Sequence, residues 1–290
     1  MSNSFGVKSI YNSPSRIAFT ILRESFVNDI YTINPDGTDC VKIQPIGGQV
    51  AWSPNGQWIA FVSDETETPS IWITRPDGTS TTLVVHHASF TAYHPTWSPN
   101  SDEIAFDYYD YENCRTRICI VNLRSGQIRA LTQYGFTTLQ WLSTNEIIFK
   151  NESCEDVFIA DSSGMRRCEL LSDFNANHTE SWFSSDGNKV ATINDFKSIC
   201  LIDRDGTNYK QFNFPNFHVC EVKWSPDNNC VIFLNRRIVE QYVEELWAMA
   251  IEEQSAWLVA KSTEYEIVSF SEESIKAYKA INYFSWSPFL

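Results

Sequence analysis

No stretch of this chain approaches the roughly 18 consecutive apolar residues that a membrane-crossing helix needs. Residues 1–15 carry no apolar core of the kind found in a secretory leader, so the sequence leads us to expect a cytoplasmic protein. Cations are scarce: 22 lysines and arginines stand against 36 aspartates and glutamates, a formal charge of −14. Such a balance repels a phosphate backbone, and nucleic acid is not the expected partner. Cys-x-x-Cys is absent, and the eight cysteines follow no regular spacing. They read as thiols in a reducing compartment; only Cys220 and Cys230, which flank a turn, are placed to face each other. Also missing are the Gly-x-Ser-x-Gly elbow, the P-loop and His-Glu-x-x-His, which removes the motif-borne routes to hydrolysis and phosphoryl transfer.

What is present is a repeat. Ala51 to Phe61 reads AWSPNGQWIAF, and its features return from Trp97 (WSPNSDEIAF), Trp141 (WLSTNEIIF), Phe183 (FSSDGNKVAT) and Trp224 (WSPDNNCVIF). Trp286 opens a sixth copy that the chain end interrupts, while Arg16 to Thr20 (RIAFT) begins in the middle of one. Each copy holds a buriable aromatic, a Ser-Pro-Asn/Asp-Gly turn and a β-branched and aromatic run suited to a strand. The anchors at 52, 97, 141, 183, 224 and 286 are spaced by 45, 44, 42, 41 and 62 residues. A period in the low forties with four short strands per copy is that of a β-propeller blade. We therefore expect an all-β, six-bladed β-propeller, closed by pairing the C-terminal strand into the first blade.

On these motifs the chain resembles the TolB-like six-bladed propellers, a WD40-like Pro-Asp repeat family. The second half of that family's repeat is matched by Ile30 to Gly37 (IYTINPDG), Ile71 to Gly78 (IWITRPDG), Arg117 to Gly126 (RICIVNLRSG), Val157 to Gly164 (VFIADSSG) and Ile199 to Gly206 (ICLIDRDG). The resemblance runs from about Arg16 to Leu290 and speaks to fold; function resides in the sites that such a fold carries. Family relatives are often periplasmic. Propeller-bearing serine peptidases are matched only in their accessory domain.

Residues 1–15 are read as an N-terminal arm and 16–290 as the propeller. Blade six is oversized, and the excess is placed at about 236–244, a long connection, and 262–282. In the second segment Ser269 precedes Glu272 by three, and Ile275, Tyr278 and Ile281 follow at spacing three, the pattern of a capped helix.

Turns between the first and second strands, and between the third and fourth, are short and alike. The loops on the opposite face vary, hold all five histidines (His86, His87, His94, His178, His218) and are rich in aromatics including Phe90, Tyr93, Tyr134, Phe136, Phe174, Phe214 and Phe217. Variable loops on a rigid scaffold are where binding resides. The third residue before each anchor is polar, Gln49, His94, Thr138, Glu180, Glu221 and Tyr283, and predicts a polar ring at the mouth of the central channel. With Tyr93, His178, Phe217 and His218 these are the candidate binding residues. The first reading is a non-catalytic scaffold, a monomer that binds a protein or peptide through this face. Asp64, Glu65, Glu67, Asp107, Asp110, Glu112, Glu152, Glu155 and Asp156 lie on the same side, and a negative field there would draw a basic partner. No cofactor is required by that reading. The alternative is a metal-dependent hydrolase or lactonase-type enzyme, with His94, His178, Glu180, His218 and Glu221 as candidate ligands for a divalent ion in the channel.

Overall fold

The computed structural model describes residues 15–22, 28–44, 46–151, 157–161, 164–167, 181–238, 242–261 and 281–286. Residues 1–14 of the expected arm, His178, Glu180, Phe174, Glu152, Glu155, Asp156 and residues 262–280 of the expected blade-six segment lie outside the described residues, while Ile281, expected to end a helix there, and Asn282 are in a strand. The described residues are all β, in six four-stranded antiparallel sheets.

Blade one holds β1 (Ile17–Leu22), β2 (Asn28–Ile33) and β3 (Val41–Gln44), and its fourth strand is the last among the described residues, β24 (Ile281–Trp286). That strand pairs with β1 from Ile17 opposite Trp286 to Ile21 opposite Ile281. Blade two is β4 (Gly48–Trp52), β5 (Ile59–Ser63), β6 (Ser70–Thr74) and β7 (Thr82–Val85). Blade three is β8 (Phe90–Trp97), β9 (Glu103–Asp110), β10 (Arg115–Asn122) and β11 (Ile128–Ala130). Blade four follows as β12 (Phe136–Trp141), β13 (Ile147–Asn151), β14 (Val157–Asp161) and β15 (Gly164–Arg167). Blade five is β16 (Ser181–Phe183), β17 (Lys189–Asn194), β18 (Ser198–Asp203) and β19 (Lys210–Asn213). Blade six is β20 (Val219–Trp224), β21 (Cys230–Ile238), β22 (Tyr242–Ala250) and β23 (Ser255–Lys261). Residues 236–244, read from sequence as a connection, are mostly strand: β21 and β22 run on as a long hairpin with Arg236 opposite Glu244 and Ile238 opposite Tyr242.

The repeated turn is built around a buried hydroxyl. Ser53 Oγ accepts the amide of Trp58 at 2.9 Å and donates to Asn55 Oδ1 at 2.8 Å, and that oxygen also accepts the amide of Gln57. Ser184 and Ser225 repeat the arrangement with Asp186 and Asp227 as local acceptors. Ser98 repeats the amide contact, from Glu103. All four serines are buried, which is why the turn keeps one length and one shape. Blade four has Leu142 in place of this serine, also buried, and its turn is one residue shorter. On the outer side of blades one, two and five, Asp36, Asp77 and Asp205 each accept both the amide and the hydroxyl of the threonine two residues on, ahead of which a glycine turns the chain.

Six apolar clusters hold the ring, and each straddles one pair of neighbouring blades. Ile30, Ile43, Trp52 and Phe61 join blades one and two. Ile71, Val85, Trp97 and Phe106 join two and three. Ile118, Ile120, Ile147 and Phe149 join three and four. Leu142, Ile159, Phe183 and Ile202 join four and five, and Leu201, Trp224 and Phe233 belong to the cluster of five and six. Ile17, Phe19 and Ile33 pack on Ile232, Leu246 and Val259, which closes six onto one. Trp257 adds an indole hydrogen bond across that last seam, to the Pro35 carbonyl at 2.8 Å.

Candidate functional site

The innermost strands leave a channel of about 530 Å³ along the axis. Among the expected ring residues, Gln49, His94, Thr138 and Glu221 all line it. Of Tyr283 the structure describes only its place in the backbone of β24. Thr96, Gln140, Trp182, Lys223 and Ser285 also line the channel.

Near the mouth most inner strands are bulged. Pairing slips between Gly48 and Ala51 in β4, between Tyr93 and Thr96 in β8, between Thr138 and Gln140 in β12, and between Val219 and Glu221 in β20. Bulges re-aim side chains, and they concentrate beside functional sites. At two of them the backbone is left-handed on a residue with a side chain, Gln49 and His94, both with φ of 51°. Non-glycine residues in that region cost of order 1–3 kcal/mol and persist only where the surroundings fix them.

Here the fixing interactions are visible. The His94 amide donates to Gln49 Oε1 at 2.7 Å. His94 Nδ1 lies 2.8 Å from Asp107 Oδ2, and Asp107 Oδ1 accepts the Thr138 amide at 2.7 Å. One hydrogen-bonded chain thus crosses blades two, three and four at the rim. Asp107 is only 2% exposed. Expected from sequence among the solvated acids of this face, it is instead a buried support for the rim. Asp110, counted the same way, is also buried. Its carboxyl accepts from Tyr134 Oη at 2.6 Å, from Asn113 Nδ2 at 2.7 Å and from the Glu112 and Asn113 amides. The Tyr134 hydroxyl leads these in pulling the Asp110 pKa down to about 2, and the same bond raises that of Tyr134. Across the channel Glu221 is paired with Lys223 at 2.9 Å, and the Lys223 ammonium lies over the Trp182 ring at 4.9 Å.

Two other expected site residues lie elsewhere. His218 is not among the channel-lining residues; its exposed ring stacks on Phe196 at 4.7 Å. Phe217 packs into the seam of blades five and six against Phe214, Phe233 and Trp247. Phe90 and Tyr93, expected in a loop, belong to β8. Among the described residues no three histidine, cysteine, aspartate or glutamate side chains are grouped so as to hold a metal ion. Exposed rings on the loop-rich face include His87 and Tyr111.

No family model matches the chain, and no curated protein matches its sequence. Solved structures do match. TolB from Acinetobacter baumannii is 16% identical with a TM-score of 0.71, the match covering 94% of this chain and 67% of that one. A structure of the nidogen/laminin complex is 9% identical with a TM-score of 0.65, over 94% of this chain and 98% of the other. Oligogalacturonate lyase in complex with manganese is 12% identical with a TM-score of 0.55, over 84% and 73%. At these identities the likeness is one of fold: the chain is a TolB-like six-bladed β-propeller.

Proposed function

We propose that this chain is a non-catalytic binding module that presents its loop-rich channel face to a protein or peptide. The observation that carries the reading is the hydrogen-bonded rim from Gln49 through His94 and Asp107 to Thr138, above a channel of about 530 Å³. A rim whose side chains are already held loses little freedom when a ligand docks, so more of the contact energy remains as affinity. Rings left accessible on that face, half-buried Tyr93 beside His94 and exposed His87, suit contact with a peptide. A chain of similar fold occurs in a structure of the nidogen/laminin complex. The test is capture of a partner by the immobilised chain and by Tyr93→Ala and His94→Ala variants with unchanged melting temperature. Loss of the captured species in both variants supports the reading, and undiminished capture by both overturns it.

A second reading, a metal-dependent hydrolase or lactonase-type enzyme, is favoured by one feature. A carboxylate on Nδ1 is the usual support for a histidine whose other nitrogen binds a metal, and Asp107 gives His94 that support. The manganese-bound lyase offers a fold precedent. Of the candidate ligands, His94 and Glu221 line the channel, and Glu221 is occupied by Lys223. Elemental analysis of the purified chain separates the two: a stoichiometric divalent ion lost in His94→Ala would favour the enzyme.

A further inference from the structure

We propose that blade three carries an oxyanion site, outside the channel, formed by Arg115 and Arg117. The two arginines stand two apart on β10 and so share one face of the sheet. With Thr132, Gln133 and Tyr134 they line a cavity of about 380 Å³ on the loop-rich side.

The setting of Arg117 is what distinguishes it from an ordinary surface cation. Its guanidinium lies 4.6 Å from the Tyr108 ring centroid and 5.1 Å from that of Tyr134. Tyr108 is in turn stacked on Phe90 at 4.2 Å, and Phe90 on His87 at 5.1 Å. Tyr134 is anchored at its other end by the bond to Asp110. The arginine is therefore clamped in a rack of rings that runs from the β7–β8 connection across blade three to the β11–β12 connection. Its Nε is buried and makes no hydrogen bond.

Neither arginine is paired with a carboxylate among the described residues, in a chain where acids outnumber bases by 36 to 22. Asp110 stands opposite Arg115 in the strand register, yet its hydrogen bonds go to Tyr134, Asn113 and two amides. Two cations side by side repel each other, and an arrangement that holds one of them rigid without a counter-ion is suited to an anion from outside. Guanidinium recognises planar or tetrahedral oxyanions through paired N–H donors, and a clamped guanidinium loses less freedom on doing so. The chemistry is that of a carboxylate or a phosphate group on the ligand.

The experiment measures thermal stabilisation of the full chain by inorganic phosphate and by citrate, each against potassium chloride at the same ionic strength. The expected result is a rise in melting temperature beyond the chloride blank with at least one anion, following its mass action. The apparent Kd should weaken about tenfold in Arg115→Gln, as loss of one charged hydrogen-bonding partner implies. Arg117→Lys keeps the charge but not the fork and should weaken binding as well, so a folding defect in one variant leaves the other to decide. A response to phosphate alone assigns the site to a phosphoryl group, and a response to citrate alone assigns it to a carboxylate. No response beyond chloride from either anion, or wild-type affinity in both variants, overturns the proposal. Because the channel rim plays no part in it, the outcome is independent of the function proposed above.

Discussion

Asp107, buried on β9, uses one carboxylate oxygen to hold the His94 ring at 2.8 Å and the other to accept the Thr138 amide from the next blade. A single side chain thus sets the position of a rim residue and ties blade three to blade four. Replacing it by alanine leaves the buried Thr138 amide without an acceptor and frees the exposed His94 ring, a loss of about 1–3 kcal/mol for the one unsatisfied buried group. A carboxamide in its place can accept with only one of its two terminal atoms, so Asp107→Asn should fall between alanine and the native chain. Urea unfolding checks this: the midpoint should drop with the slope unchanged. If Asp107→Asn is within about 0.5 kcal/mol of the native chain, the rim does not depend on the carboxylate.

The turn hydroxyls give a comparison internal to the ring. Ser225 Oγ accepts the Cys230 amide at 2.9 Å and is wholly buried. Ser225→Ala strands that buried amide, while Asp227 keeps its bonds from Asn229, and should cost about 1–3 kcal/mol. Leu142 fills the equivalent place in blade four without a hydroxyl, so Leu142→Ser should not gain what Ser225→Ala loses; it removes buried apolar volume instead. Equal and opposite changes in the two melting temperatures would show that the hydroxyl contributes alike in any blade.

The ring itself was legible because anchor, turn and strand recur at nearly constant spacing, and because a Pro-Asp-Gly turn has one way to fold. Trp97 and Trp224 explain the anchor further: each indole N–H donates to the backbone of the preceding inner strand, at Ala51 and Trp182, and phenylalanine at 183 offers no such donor. What the sequence could not reveal was set by the bulges. A slipped register in β8 turns His94 onto Asp107, and nothing in the order of residues distinguishes that aspartate from Asp64, which is exposed. Charge counting has the same blindness, since it treats a buried acid and a solvated one alike. Phe217 was misjudged for a related reason: an aromatic in a connecting loop can turn back into a seam between blades.

Glycine requirements should differ sharply between turns. Gly78 has φ of 81°, and a methyl group there would lie 2.5 Å from the Ile43 carbonyl oxygen of the neighbouring blade. Gly126 has φ of 68° and open space around it. Gly126→Ala should cost the left-handed conformation alone, about 1–2 kcal/mol, whereas Gly78→Ala adds a backbone clash of about 1–3 kcal/mol. Thermal unfolding of the two variants side by side reads the difference, and equal losses would mean that the blades separate to relieve the contact.

Asp110 predicts a particular acid response. Its folded pKa is about 2 against an ordinary 3.8, so the folded state favours the charged carboxylate. The stabilisation it provides is complete above the ordinary value and fades as pH falls toward the folded one. Tyr134→Phe removes the largest cause of the shift, and the carboxyl should then titrate nearer its ordinary value. Following urea midpoints between about pH 5 and 2, the native chain should lose stability more steeply than Tyr134→Phe across that window. Parallel curves would exclude the Tyr134 bond as the cause.

Strand β24 offers the severest test of the ring. It supplies the fourth strand of blade one, and Ser285 Oγ accepts the Trp52 amide of blade two at 3.1 Å, so it joins two blades as well as completing one. A chain ending at residue 280 would leave β1 with one edge unpaired and its amides facing the channel, a state prone to recruit another strand. Packing of Ile17 and Phe19 on Leu246 and Val259 would remain in the seam between blades six and one. The truncated chain should therefore stay compact but unfold at lower temperature and over a wider range, and a peptide of residues 281–290 added in excess should restore part of the loss by mass action. Melting as sharp and as high as that of the intact chain, with no response to the peptide, would mean that blade one stands on three strands.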